Sequence, residues 1–139
     1  MIRHFTSTVF VVFEDKIALH WHNKVKMWLP PGGHVEENED PVQTALRECR
    51  EEMGIDVDII SNHSYKFTDP KLSNIYPPET ILIESVEDKK IGPHQHIDFI
   101  YFACPNSLDN NLDSNWILVT HEQLAVSYTH LTLPTILLV

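Results

Sequence analysis

The sequence predicts an α/β domain, strand-rich and carrying one well-marked amphipathic helix. Three observations predict it. Short runs of β-branched and aromatic residues with a period of two recur on both sides of residues 41–53. Between them lies a single stretch with helical spacing and a start and stop signal at its ends. The whole is 139 residues, 42% apolar and 22% charged, which suits one domain with a real core rather than a disordered chain.

Taken in order, residues 6–14 (TSTVFVVFE) and 17–22 (IALHWH) flank the polar pair Asp15-Lys16 and read as a β-hairpin. In the second strand His20 and His22 alternate with Ile17, Leu19 and Trp21, so the two histidines share a face, solvated or turned to a ligand. Residues 28–34 (WLPPGGH) read as a shaped loop, because the prolines and glycines disfavour a helix or a central strand. Asp40 sits where an N-cap belongs, Pro41 at the first helical position and Gln43 where a capping-box partner belongs. Val42, Ala45, Leu46, Cys49 and Met53 then form one apolar stripe, and Gly54 is placed to cap the C-terminus. The spacing predicts a helix over residues 41–53. Strands are expected at 55–60, 80–86, 96–103 and 116–119, with a proline-rich loop over 61–78, and Thr120 with Gln123 is set to open a short helix.

Ten Lys and Arg against twenty Asp and Glu leave a net charge of −10. Such a chain is not expected to bind nucleic acid or an anionic membrane, and a polyanionic ligand requires bound cations to approach it. Two cysteines, Cys49 and Cys104, are too few for a disulfide scaffold and read as small hydrophobes in a reducing compartment. With no apolar run of spanning length and no signal-peptide layout, a cytoplasmic location is expected. Residues 126–139 contain no Asp, Glu, Lys or Arg. That break in composition marks residues 1–125 as the domain and the rest as a tail that resembles translated read-through, with a native C-terminal strand as the other reading. Monomer and homodimer both stay open.

The chemistry concentrates after the loop. Residues 34–58 hold nine acidic residues against Arg47 and Arg50, a net −7 of the chain's −10. At about 100° per residue, Glu48, Glu51 and Glu52 share an arc of roughly 100° on the helix. Like charges at these spacings repel, and carboxylates in the last turn oppose the helix dipole, so stability alone disfavours them. A hard divalent cation reverses the sign, because Mg²⁺ takes several oxygen ligands. The alternative is a solvated acidic face. Gly32-Gly33, which lets backbone approach a ligand closely, leads by a short loop into this helix and favours the metal.

Gly33-x5-Glu39-x7-Arg47-Glu48-Cys49-x-Glu51-Glu52-x-Gly54-Ile55 resembles the Nudix box, Gx5Ex7REUxEExGU with U an aliphatic residue. All seven fixed positions and every spacing agree; Cys49 at an aliphatic position is the one departure. The lead-in Leu29-Pro30-Pro31-Gly32-Gly33 is similar to the family's approach to the box. The resemblance implies a Nudix-like α/β/α sandwich with a mixed central sheet. It also implies hydrolysis of a nucleoside diphosphate linked to another group, by water attacking phosphorus with Mg²⁺, or Mn²⁺ in its place, bound at the box. By the same resemblance Glu48, Glu51 and Glu52 and the Gly32 carbonyl are metal ligands, and any of the three glutamates is also a candidate catalytic group that polarises the water. Arg47 orients a catalytic glutamate, and Glu39 supports the loop. The family's general base varies in position; Glu79, Glu84 and Asp98 are the downstream candidates, and Asp98, which ends His94-x-His96-x-Asp98, is the most suggestive of them.

His94-x-His96-x-Asp98 puts three polar side chains on one strand face, suited to substrate contact, to a separate zinc site or to a solvated face. Within the 61–78 loop, Tyr65, Phe67 and Tyr76 are candidates for stacking on a base, or anchors of the loop itself. The expected partner is a nucleotide-type small molecule: a nucleoside triphosphate, ADP-ribose or a nucleotide sugar. A non-hydrolysing module that senses a nucleotide such as ADP-ribose is the alternative function.

Overall fold

A strand of eleven residues, β1 (Arg3–Phe13), is the spine of the molecule. The computed structural model describes residues 1–62, 66–107, 112, 114–120 and 122–124. Tyr65 and the tail 126–139 lie outside the described residues. β1 turns through Glu14 at positive φ into β2 (Lys16–His22), with Val12 opposite Ile17, so the predicted hairpin forms. Besides β1, β2 pairs antiparallel with β3 (Met27–Leu29) and with β8 (Trp116–Thr120).

The expected loop over residues 28–34 is more regular than the sequence implied. Met27–Leu29 belongs to β3, and Gly32–His34 forms β4, antiparallel to β1 with Thr8 opposite Gly32 and Thr6 opposite His34. Pro30 and Pro31 occupy the break between these strands, where no amide is needed for a ladder, and the Pro31 carbonyl accepts from the Val9 amide at 2.9 Å. A Cβ on Gly32 would stand 2.6 Å from the Ser7 carbonyl oxygen, so the close pairing of β4 on β1 requires glycine there.

The helix begins as predicted. The Asp40 carboxylate accepts from the Gln43 amide at 2.8 Å and the Gln43 side chain accepts from the Asp40 amide at 2.9 Å, a complete capping box before α1 (Pro41–Glu48). The helical path runs on through Met53, but Cys49–Met53 is a π turn, closed by Gly54 at φ 70°. Ala45, Cys49 and Met53 from the apolar stripe are buried with Val9, Val11, Tyr101 and Ala103, so helix and sheet share one core. Cys49 is fully buried, the small hydrophobe its box position asks for.

β5 (Val57–Ile60), β6 (Thr80–Asp88) and β7 (Gly92–Pro105) complete the sheet. β7 runs parallel to β1 from Arg3 opposite Gln95 to Val11 opposite Ala103, and its other edge takes β6 and β5 antiparallel. The sheet is therefore mixed, with β1 and β7 at its centre. Thr120 and Gln123 make reciprocal side chain to backbone bonds ahead of a helical turn over 122–124, and Leu124 is buried against Leu19 and Val119. Among the described residues no helix is long and apolar enough to cross a membrane.

Candidate active site

Arg47, on the last turn of α1, gathers the loop and the helix. Its Nε donates to Glu39 Oε2 at 2.8 Å, Nη1 to Glu48 Oε1 at 2.8 Å and to Glu51 Oε2 at 3.2 Å, and Nη2 to the His34 carbonyl at 3.0 Å. A planar fork of five donors suits this; an ammonium does not. Glu39 also accepts from Thr44 Oγ1 at 2.6 Å. The Arg47 bonds are the main cause holding the Glu39 carboxyl down at about 2. Glu39 thus ties the loop to the helix, the supporting part expected of it.

Beyond Arg47 the three helix glutamates separate. Glu48 and Glu52, one turn apart, meet each other and line a cleft of about 580 Å³. Glu51 sits at the other edge of the arc, 59% exposed and turned to Arg47. A Cβ on Gly33 would run into the Glu48 carboxylate, so the bare glycine makes the room in which that carboxylate lies. Burial, followed by the hydrogen bond with Glu52, pushes the Glu48 carboxyl up to about 7 despite Arg47. Burial also raises Glu52, yet bonds from His20, the Gly32 amide and Glu48 hold it below its ordinary value. His20 Nε2 lies 3.1 Å from Glu52 Oε2, and the Gly32 amide donates to Glu52 Oε1 at 3.0 Å. The His20 ring stacks on Trp116 at 4.7 Å, which fixes its orientation.

A second pair of carboxyls faces the same cleft from the sheet. Asp98 is 3% exposed and accepts from Thr6 Oγ1 at 3.0 Å and Thr8 Oγ1 at 2.8 Å. Glu84 on β6 bonds to it, and burial followed by the Asp98 charge pushes Glu84 up to about 7. Of the three downstream candidates for a base, Glu84 and Asp98 therefore reach the cleft; Glu79 is not among its lining residues.

A carboxyl held above its ordinary 4.5 binds its proton more tightly in the folded state. Its contribution is favourable at low pH and is lost as pH rises through about 7. With divalent metals chelated, Glu84→Gln should raise the melting temperature relative to the parent at pH 8 but not at pH 5. Allowing for solvent screening, the expected difference is on the order of 1 kcal/mol, roughly 3–5 °C. An equal effect at both pH values would show that the two carboxyls do not share a proton.

The donor set of the cleft fits a hard divalent cation: Glu48 and Glu52 offer adjacent carboxylate oxygens, on which burial and their mutual hydrogen bond favour retention of a proton at Glu48, and Gly32 lies beside them. His96 also lines the cleft, with Asp98. Burial, with the neighbouring histidines, lowers His96 to about 4, and burial likewise lowers His34. Phe67 is 62% exposed and lies outside the cleft lining, its amide accepted by the Asn74 side chain at 3.2 Å; the Tyr76 carbonyl accepts from Tyr101 at 3.3 Å. The described part of the loop is thus tied to itself and to β7. His20 was legible only as one of two histidines on a strand face; its bond to Glu52 depends on how β2 meets the π turn.

An α/β domain with a mixed sheet and an acidic cleft beside its helix is the class that fold and geometry define. Residues 3–131 match the family model of the NUDIX domain, and the chain belongs to the Nudix family. A probable DHNTP pyrophosphohydrolase of Lactococcus lactis subsp. cremoris is 35% identical over 96 residues, 69% of this chain and 51% of that one. The asymmetrical bis(5'-nucleosyl)-tetraphosphatase of Sus scrofa is 52% identical over 40 residues, 29% of this chain and 27% of the relative. The chain spans about half the length, or less, of these curated relatives. A NUDIX-family hydrolase from Clostridium perfringens superposes with a TM-score of 0.68 at 31% identity, covering 91% of this chain and 87% of that one. The Ap4A hydrolase of C. elegans gives a TM-score of 0.63 at 20% identity, with 93% and 88% covered, a likeness of fold alone.

Proposed function

We propose that the chain is a Mg²⁺-dependent pyrophosphohydrolase that cleaves a nucleoside diphosphate linked to another moiety. The observation that carries this reading is the meeting of Glu48 and Glu52 over Gly33 in the cleft, at the positions of an unbroken box. Glu48, Glu52 and the Gly32 carbonyl are the groups at the cleft that would hold Mg²⁺, with Mn²⁺ as a substitute; Glu51, turned to Arg47, would join them on leaving that bond. When bound, the ion supplies charge neutralisation for the diphosphate and stabilises the oxygen that leaves. Relatives named for pyrophosphohydrolase and nucleosyl-tetraphosphatase activities support the same bond class.

The chain's own residues do the rest. His20 and the Gly32 amide aim the Glu52 carboxylate, while Arg47 anchors Glu48 on its other side. Water's oxygen bonds to phosphorus, the bridging P–O bond breaks, and the water's proton passes to a carboxylate of the cleft. Glu84 suits that last part, because a base is most effective when its affinity for protons is near the working pH. Burial, together with Asp98, which Thr6 and Thr8 hold in place, keeps Glu84 in that range. Cys49 and Cys104 are both free thiols, which suits a reducing, cytoplasmic setting.

A panel of nucleoside triphosphates, an oxidised triphosphate, ADP-ribose, a nucleotide sugar, a dinucleoside tetraphosphate and DHNTP tests the reading. With Mg²⁺, at least one should yield a nucleotide or phosphate product, and chelation should abolish it. Tight binding of a nucleotide without any product would instead make the chain a sensing module. No turnover and no binding across the panel would remove the nucleotide from the account altogether.

A further inference from the structure

The pairing of three strands brings together histidines that are far apart in the chain. His4 on β1 lies in register with His96 on the parallel strand β7, and His34 on β4 lies opposite Thr6, two residues along β1. The His34 and His96 rings are 5.0 Å apart, and His4 lies 5.3 Å from His34 and 6.1 Å from His96. One nitrogen from each ring falls within 4.8 Å of the other two. Nothing in the phosphoanhydride chemistry proposed above uses His4.

Two further details point to a ligand. His4 Nδ1 is buried and has no hydrogen-bond partner among the described residues. A buried polar atom left unpaired costs about 1–3 kcal/mol, so such an atom calls for a partner. On the other side, His94 is 3% exposed; its Nδ1 lies 2.9 Å from the Gly92 carbonyl and its Nε2 lies 3.2 Å from His96 Nε2. Since a carbonyl only accepts, His94 Nδ1 must be the protonated nitrogen. In a neutral His94 ring Nε2 then accepts from His96 Nε2–H, which leaves the lone pair of His96 on Nδ1. A carbonyl–imidazole chain of this kind orients metal-binding histidines and sets their tautomer.

We propose that His4, His34 and His96 form a site for a divalent transition-metal ion of the Zn²⁺ class, separate from the helix glutamates. Imidazole is a borderline donor that suits zinc, cobalt or nickel, whereas Mg²⁺ seeks oxygen. Zn–N distances of about 2.0–2.1 Å in a tetrahedron place nitrogens about 3.4 Å apart, so the rings need close by no more than about 1.4 Å. Three protein ligands leave the fourth position to water. The ion would clamp β1, β4 and β7 at one end of the sheet. It would also stand at the wall of the cleft, which His34 and His96 line. Because Arg47 holds the His34 carbonyl, the same residue joins this cluster to the glutamate site.

The test uses the full chain without a histidine tag, titrated with Co²⁺ as a visible probe while excess Mg²⁺ is present, and with Zn²⁺ by calorimetry. One equivalent should bind with the intense visible band of tetrahedral cobalt, and zinc should raise the melting temperature. His96→Asn and His4→Asn should each weaken binding by about 100-fold or more, while keeping the Mg²⁺-dependent melting shift that reports a folded chain. His4→Asn, at the start of its strand, keeps the test readable if the His96 change impairs folding. Absence of micromolar binding, or binding that survives both substitutions, would overturn the proposal. So would binding lost in the Glu48→Gln, Glu52→Gln double variant but not in the histidine variants. The readout is metal binding, so a chain inactive on every nucleotide would still either take up the ion at the histidines or fail to.

Discussion

Glu52→Gln should lower kcat by about 10²–10³-fold on whichever substrate the panel identifies, the loss typical when a preorganised charge at a reacting centre is removed. The change keeps the shape of the side chain but removes its charge. The carboxylate that His20 and the Gly32 amide hold in the cleft then no longer offers a cation a full negative ligand. The Mg²⁺ concentration giving half-maximal rate should rise as well. Glu51→Gln should have the smaller effect, because Glu51 is turned to Arg47 outside the cleft lining. Initial rates across a Mg²⁺ titration for both variants check this. A Glu52→Gln enzyme with the parent's rate would sink the glutamate site, and a larger loss for Glu51 would show that its side chain leaves Arg47 during the reaction.

Arg47→Met should cost about 3–5 kcal/mol of stability at neutral pH, the range for removing one partner from a buried ionic network. Arg47 is 19% exposed, and without it Glu39, Glu48 and the His34 carbonyl lose their shared donor. Arg47→Lys should recover only part of this, because one ammonium cannot serve acceptors on four residues in a plane. The loss should also depend on pH with a definite sign. The Glu39 carboxyl is held at about 2 against an ordinary 4.5, so its contribution is present above 4.5 and disappears as pH falls towards 2. Urea unfolding at pH 7 and pH 3 should therefore show a smaller gap between parent and variant at the lower pH. A gap that does not narrow would assign the loss to packing of the arginine stem.

Most of the helix is legible in the sequence. Asp40, Pro41 and Gln43 form the expected capping box, Gly54 takes the left-handed conformation, and the stripe from Ala45 to Met53 is buried. Each of these depends on residues within a turn or two of one another, the range over which capping bonds and helical periodicity operate. The strands were legible for the same reason, although the two short ladders around Pro30 and Pro31 were not. They exist because β1 and β2 supply partners from elsewhere. The π turn at Cys49–Met53 likewise left no mark in the spacing.

Local spacing could place three glutamates on one arc, yet it could not say that Glu48 would meet Glu52 while Glu51 turned to Arg47. That division follows from Gly33 lying beneath Glu48 and His20 reaching across from β2. The Thr6–Asp98 bond joins residues 92 apart, and the same parallel pairing of β1 with β7 brings His4 beside His96. A period of two tells which side chains share a face of a strand, but strand order and register, settled by burial of the whole sheet, choose the face they meet. The box and its helix are thus properties of neighbours in the chain; the second carboxyl pair and the histidine cluster arise from the way distant strands pack.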